Sequence, residues 1–135
     1  MDARSTARLA AVQDIYTRDL AGSGNSTKDL VKINSAKKLN KKIFERLIDN
    51  VSRETIKIDE MISQNLSADW KIGRLPAITK AILRAAISEL AFDEEKLPKQ
   101  VVISEYVNIA GGFLDEKEVK FVNAILDKIA ISVSE

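Results

Sequence analysis

The stretch PAITKAILRAAISELAF, residues 76–92, constrains the fold more than any other part of the chain. Ten of the fifteen residues from 78 to 92 are apolar. At 100° per residue they cover most of a helical circumference, so neighbours must cover this helix on several sides. Only Lys80, Arg84 and Ser88 form a polar strip, at i, i+4 and i+8. Pro76 suits the first helical position, where its missing N–H removes no hydrogen bond. Glu89 is the exception, at the wheel angle between Ile78 and Ile82, inside the apolar arc. A carboxylate there must be paired or hydrogen-bonded. The free N–H groups at the start of the Pro98 helix, or a basic side chain such as Arg84, are the candidates.

The remaining features limit what such a core can belong to. With 135 residues, 45% of them hydrophobic and 30% charged, the chain fits one domain over 1–135. Its N-terminal half runs over about 1–66 and its C-terminal half over about 67–135. Two prolines, five glycines and helical rather than alternating apolar periods predict an all-α protein. The absence of Cys and His excludes disulfides, thiolate zinc sites, Cys nucleophiles and imidazole chemistry. No metal spacing is present, no cofactor or small-molecule substrate is implied, and catalysis is not expected. No apolar run has the length of a membrane span or the form of a signal peptide, which predicts a cytoplasmic protein. Net charge is +1, but residues 1–66 hold 12 Lys/Arg against 9 Asp/Glu and residues 67–135 hold 9 against 11. Any nucleic-acid surface must therefore be local.

A first helix is predicted over 3–20, with Leu9, Val12, Ile15, Tyr16 and Leu20 as its apolar stripe. Arg4 and Arg8 stack along one edge of that stripe, as a solvated flank or as a basic contact. Gly22 and Gly24 end this helix, and a connection over 21–36 holds a short helical turn at 29–33. GSGNST lacks the Gly-Lys-Ser/Thr of a phosphate loop. A second helix covers 36–50, with Lys37, Lys38, Lys41 and Lys42 in its first turns. Ser52 caps a third helix that runs to 66. Trp70, in the connection that follows, reads as a packing anchor. An acidic loop, Asp93-Glu94-Glu95, ends the central helix, and Pro98 opens the next at its first position. Gly111-Gly112 closes that one by accepting a left-handed conformation. Asp115-x-x-Glu118 reads as a capping box for the last helix. There Val122, Ile125, Leu126, Ile129 and Val133 face the core, and Phe121 falls about 40° outside them. Lys117 and Lys128 share the flank of Phe121, and Lys120 lies on the other. Phe121 either leans inward to pack or offers its face to a nucleobase.

RLAAVQDIY, W-x3-RLPAITKAILRAAISEL, P-x2-VVISEYVNIA and KFVNAILDKI resemble, in that order, the NusB transcription antitermination factor family. The resemblance spans nearly the whole chain. It implies a helical bundle of two three-helix-like halves and a non-enzymatic role. That role is to bind single-stranded boxA-like RNA with the ribosomal protein NusE, and to join other Nus factors on RNA polymerase at ribosomal RNA operons. By motif, Arg4 and Arg8 match the arginine-bearing first helix. Lys120, Phe121 and Asn123 match the KFVN segment tied to RNA, with Lys117 beside them, and Tyr16 matches an aromatic facing NusE. Ser5 and Thr6 stand where arginines are common, Thr79 where an acid is common near the NusE contact, and Gly111 where a lysine is frequent. Two alternatives are a helical scaffold without RNA affinity and the RNA-recognition fragment of a ribosomal RNA cytosine methyltransferase.

Overall fold

The computed structural model describes residues 2–21 and 40–134. Helix α1 spans Ala3–Ala21 and α2 spans Lys41–Gln64; a 3-10 turn at Ile72–Arg74 leads into α3, Ala77–Ile87. A π-helical turn, Ser88–Phe92, continues α3, and α4 (Lys99–Gly111) and α5 (Glu116–Ser134) complete the fold. Among the described residues there is no strand, in keeping with the all-α expectation. Helix α3 touches all four other helices. Its Ala81, Ile82, Leu83, Ala85, Ala86 and Ile87 are at most 1% exposed, as an all-round apolar helix requires.

Several boundaries differ from the sequence reading, each for a local reason. The second and third helices are one, with a single non-helical residue at Glu54 (φ −110°, ψ 16°) and no break at Ser52. Beside that kink the Thr55 hydroxyl donates back to the Val51 carbonyl, a bond that bends helices. The side chain of Asn40 caps the start by accepting from the Ile43 N–H at 3.1 Å. The expected residues 36–39, the Gly22 and Gly24 stop and the turn at 29–33 lie outside the described residues. Pro76 and Pro98 sit one residue before the first helical position; their carbonyls accept from Lys80 and Val102 at 3.0 and 3.3 Å. Gly112 ends α4 at φ −83°, so no left-handed residue is used there. The capping box forms, with the Glu118 N–H donating to Asp115 Oδ1 at 2.8 Å.

The polar strip on α3 is not a solvated one. Ser88 is fully buried, and its hydroxyl donates to the Ala85 carbonyl at 2.7 Å. Arg84 holds Asp59 through Nε and Nη2 at 2.9 and 3.0 Å, and Lys80 reaches Asp19 at 3.5 Å. Asp93, read as part of an acidic loop, is buried against Arg46 (2.8 Å) and Asn50 (3.1 Å).

Glu89 is buried as its wheel position requires, and its main partner is a basic side chain, Arg8 rather than Arg84. Arg8 donates to both its oxygens, Nε to Oε1 at 2.9 Å and Nη2 to Oε2 at 2.8 Å. The Tyr106 hydroxyl donates to Oε1 at 2.8 Å. The third guanidinium nitrogen of Arg8 donates to Glu105 at 2.8 Å, and Ser5 donates to the same oxygen at 2.6 Å. One cluster thus ties α1, the π-helical turn and α4 together. Burial by itself would lower the Arg8 pKa; the hydrogen bonds and charge of Glu89 outweigh it and hold the guanidinium above its ordinary value. Burial, then Glu89, push the Tyr106 phenol well above the usual tyrosine value, so it stays a donor.

Removing one partner of such a pair strands the other charge in the interior. Glu89→Ala should therefore lower unfolding free energy by roughly 3–5 kcal/mol, read from urea midpoints. A loss below about 1 kcal/mol would mean that Arg8 swings out to water.

Candidate nucleic-acid interface

A cavity of about 350 Å³ opens where the starts of α3 and α5 meet. Trp70, Leu75, Pro76 and Thr79 line one side, and Lys117, Glu118 and Phe121 line the other. The capping box sets the first turn of α5 and so presents Lys117, Glu118 and Phe121 together. The positive ends of two helix dipoles point to this region. Trp70 is 53% exposed, which overturns its reading as a packing anchor. Thr79 is 2% exposed, and its hydroxyl has no hydrogen-bond partner.

The residues expected at a single RNA-binding edge do not all share one place. Lys117 is exposed at the cavity, and Phe121 is half-buried, touching both the core and the cavity. Phe121 thus combines the two alternatives that its wheel position left open. Lys120 is exposed, 3.7 Å from Glu116 in a pair that solvent screens. Asn123 is exposed but two residues on, about 200° around the helix from Phe121, so the two cannot face one contact.

The arginines lie elsewhere. Arg4 is exposed and pairs with Glu95 at 3.2 Å. Arg8 departs from the expectation outright: it is 3% exposed and its guanidinium is occupied by two carboxylates. Helix α1 runs antiparallel to α3, so Arg8 meets Glu89 while Asp19 meets Lys80. Thr79 and Glu89 are about 15 Å apart along the helical run at 1.5 Å per residue. Arg4 and Arg8 therefore stand at the opposite end of the core helix from Phe121. Tyr16 is half-buried on α1, one turn before Asp19 on the same face, toward the cavity end. Trp70, Leu75 and Pro76 were missed as lining residues because a connecting segment has no period from which to read a face.

An all-α bundle with an apolar cavity between two helix starts, rimmed by Lys117 and Glu118, defines a helical binding protein. A family model described as NusB family matches residues 5–131. The transcription antitermination protein NusB of Rhizobium etli (strain CIAT 652) is 37% identical over 142 residues, covering 96% of this chain and 87% of its own length. The chain belongs to the NusB family. The structure of NusB from T. maritima superposes with a TM-score of 0.83 at 29% identity, over 99% of this chain and 94% of that one. NusB in the crystal structure of antitermination factors NusB and NusE in complex with dsRNA gives 0.77 at 32% identity, over 98% of each.

A second cleft, of about 310 Å³, lies between α1, α2 and α3 and is lined by Asp14, Arg18, Asp19, Ile48 and Arg84 among others. Asp14 is 1% exposed, with Arg18 Nε 2.9 Å from Oδ2 but without a well-directed hydrogen bond. Burial pushes its pKa up, and Arg18 offsets this only in part. Folded Asp14 thus holds its proton more tightly than the unfolded chain does. Between 3.8 and the raised folded value the native state binds more protons, so stability falls as pH rises through that window. Asp14→Ala should remove this fall, so the stability of the variant relative to the parent chain rises between pH 4 and pH 7. Urea midpoints of both proteins at pH 4 and pH 7 check it; a difference that does not change with pH would refute the shift.

Proposed function

We propose that this chain is a transcription antitermination factor that binds single-stranded, boxA-like RNA together with NusE, on RNA polymerase and with other Nus factors. Its contribution is binding rather than catalysis, and its place is the cytoplasm. The observation that carries this reading is the match, over 98% of each chain, to a NusB solved with NusE and RNA. Lys117 and Lys120 supply phosphate contacts, and Phe121 offers a π-face beside them. Arg4 is available at the far end once it leaves its exposed pair with Glu95. Arg8 acts through position only, since its guanidinium is closed off by Glu89 and Glu105. Asn123 sits on another flank of α5 and reaches RNA only through a separate contact. Tyr16, at the cavity end, belongs to the NusE side.

Part of the basic charge is closed to RNA by ion pairs within the fold. Arg8, Arg18, Arg46 and Arg84 are held by carboxylates within 3.0 Å. With about three phosphates neutralised at −0.7 per contact, log K against log salt should slope near −2 for the chain alone. Affinity should rise clearly when NusE is added. Tight binding without NusE and a slope steeper than about −4 would contradict this; no RNA affinity even with NusE would leave a protein scaffold.

Phe121 has a double role, so the informative variant keeps its packing. Phe121→Leu preserves an apolar side chain at the cavity and removes the aromatic face. It should lower RNA affinity by roughly 1–3 kcal/mol with a thermal midpoint shifted by only a few degrees. Unchanged affinity would show that the ring serves packing alone.

A further inference from the structure

Trp70 is the single tryptophan of the chain, and it is left half in water at the mouth of an apolar cavity. A packed tryptophan buries about 150–250 Å², so exposing this one forgoes a large part of that burial. Phe121 lines the same cavity, and so does Thr79, whose buried hydroxyl has no partner. An unsatisfied hydroxyl of this kind is a cost to the fold unless something arrives to bond it. Lys117 lines the rim, and Lys71 and Arg74, exposed, flank the Trp70 wall in sequence. The occupant that fits is flat, has two π-faces, carries donors and acceptors on its edge, and is attached to an anion.

We propose that Trp70 and Phe121 form the walls of a slot for one unstacked nucleobase, with Thr79 bonding its edge and Lys117 meeting its phosphate. The proposal rests on the RNA-binding reading and adds to it a second aromatic wall and a hydrogen-bonding group. The Thr79 oxygen has almost no exposed surface, and rotation about χ1 presents it to the slot. Glu118, at the same rim, accepts from a base amino group and repels a second phosphate. A base within a duplex has no free face, so the slot selects single strands.

Because Trp70 is the only tryptophan, its emission reports on the slot directly. The titration uses the full chain, with and without NusE, and single-stranded RNA of roughly eight to twelve nucleotides. An abasic strand of equal length and a duplex serve as controls. The single strand should quench Trp70 emission, and the abasic strand and the duplex should not. Trp70→Ala should fold normally by circular dichroism, since the side chain is half exposed, and lose affinity by roughly 5- to 100-fold. Trp70→Phe should recover most of that affinity. Thr79→Val should weaken binding while leaving stability unchanged or raised. RNA that binds with unaltered emission, and equally to Trp70→Ala, would overturn the slot and leave the RNA-binding reading standing. No RNA binding under either condition would overturn both. Quenching by NusE alone, with none by RNA, would overturn the nucleobase as occupant in favour of a protein side chain.

Discussion

The fold depends on one buried contact, the bidentate pair between Arg8 and Glu89 closed by the Tyr106 hydroxyl. Its members come from α1, the π-helical turn and α4, and so it fixes how these elements meet. Apolar packing tolerates small slides of one helix over another, because dispersion contacts have little direction. A two-pronged guanidinium–carboxylate contact does not, since a shift of one residue breaks both bonds and leaves two buried charges. The pair thus sets register more than it adds net stability. Glu105 and Ser5 extend the same cluster toward the start of α1.

The same device recurs where other helices meet. Arg84 bridges α3 to α2 through Asp59 and approaches Asp19 of α1, and Arg46 of α2 holds Asp93 and Glu95 after the π-helical turn. Each guanidinium is partly covered, and each spans elements distant in sequence. Charged residues that a composition counts as surface are therefore structural. Asp14 is the imperfect member of the set: its carboxylate is as buried as Asp93, but its one basic neighbour is poorly aligned.

Local physics made much of the fold readable. The all-round apolar character of the core helix required burial on every side, and a carboxylate inside that arc had to be paired. The Asp115–Glu118 capping box is also local and formed as read. What was not readable depended on contacts remote in sequence. Arg8 lies 81 residues from Glu89, and at the edge of an apolar stripe it looks like a solvated flank. Only the antiparallel docking of α1 on α3 turns it inward. That same docking separates Arg4 from Phe121, which no wheel drawn for a single helix could reveal. Trp70 was misread for the opposite reason: its size suggested an anchor, but a short connection with no period gives no face on which to bury it.

These placements bear on how RNA can be recognised. Phosphate contacts position a strand, and contacts to bases distinguish one sequence from another. A chain that holds Arg8, Arg46 and Arg84 against carboxylates keeps these three guanidinium groups from the first task. Its net charge of +1 supplies no long-range attraction either. At the cavity end stand aromatic surface, a buried hydroxyl, Lys117 and Glu118. Such a surface discriminates an unstacked base well but holds a strand weakly. On the reading proposed above, ion pairs that fix the helices in register leave part of the affinity to a second protein on the same strand.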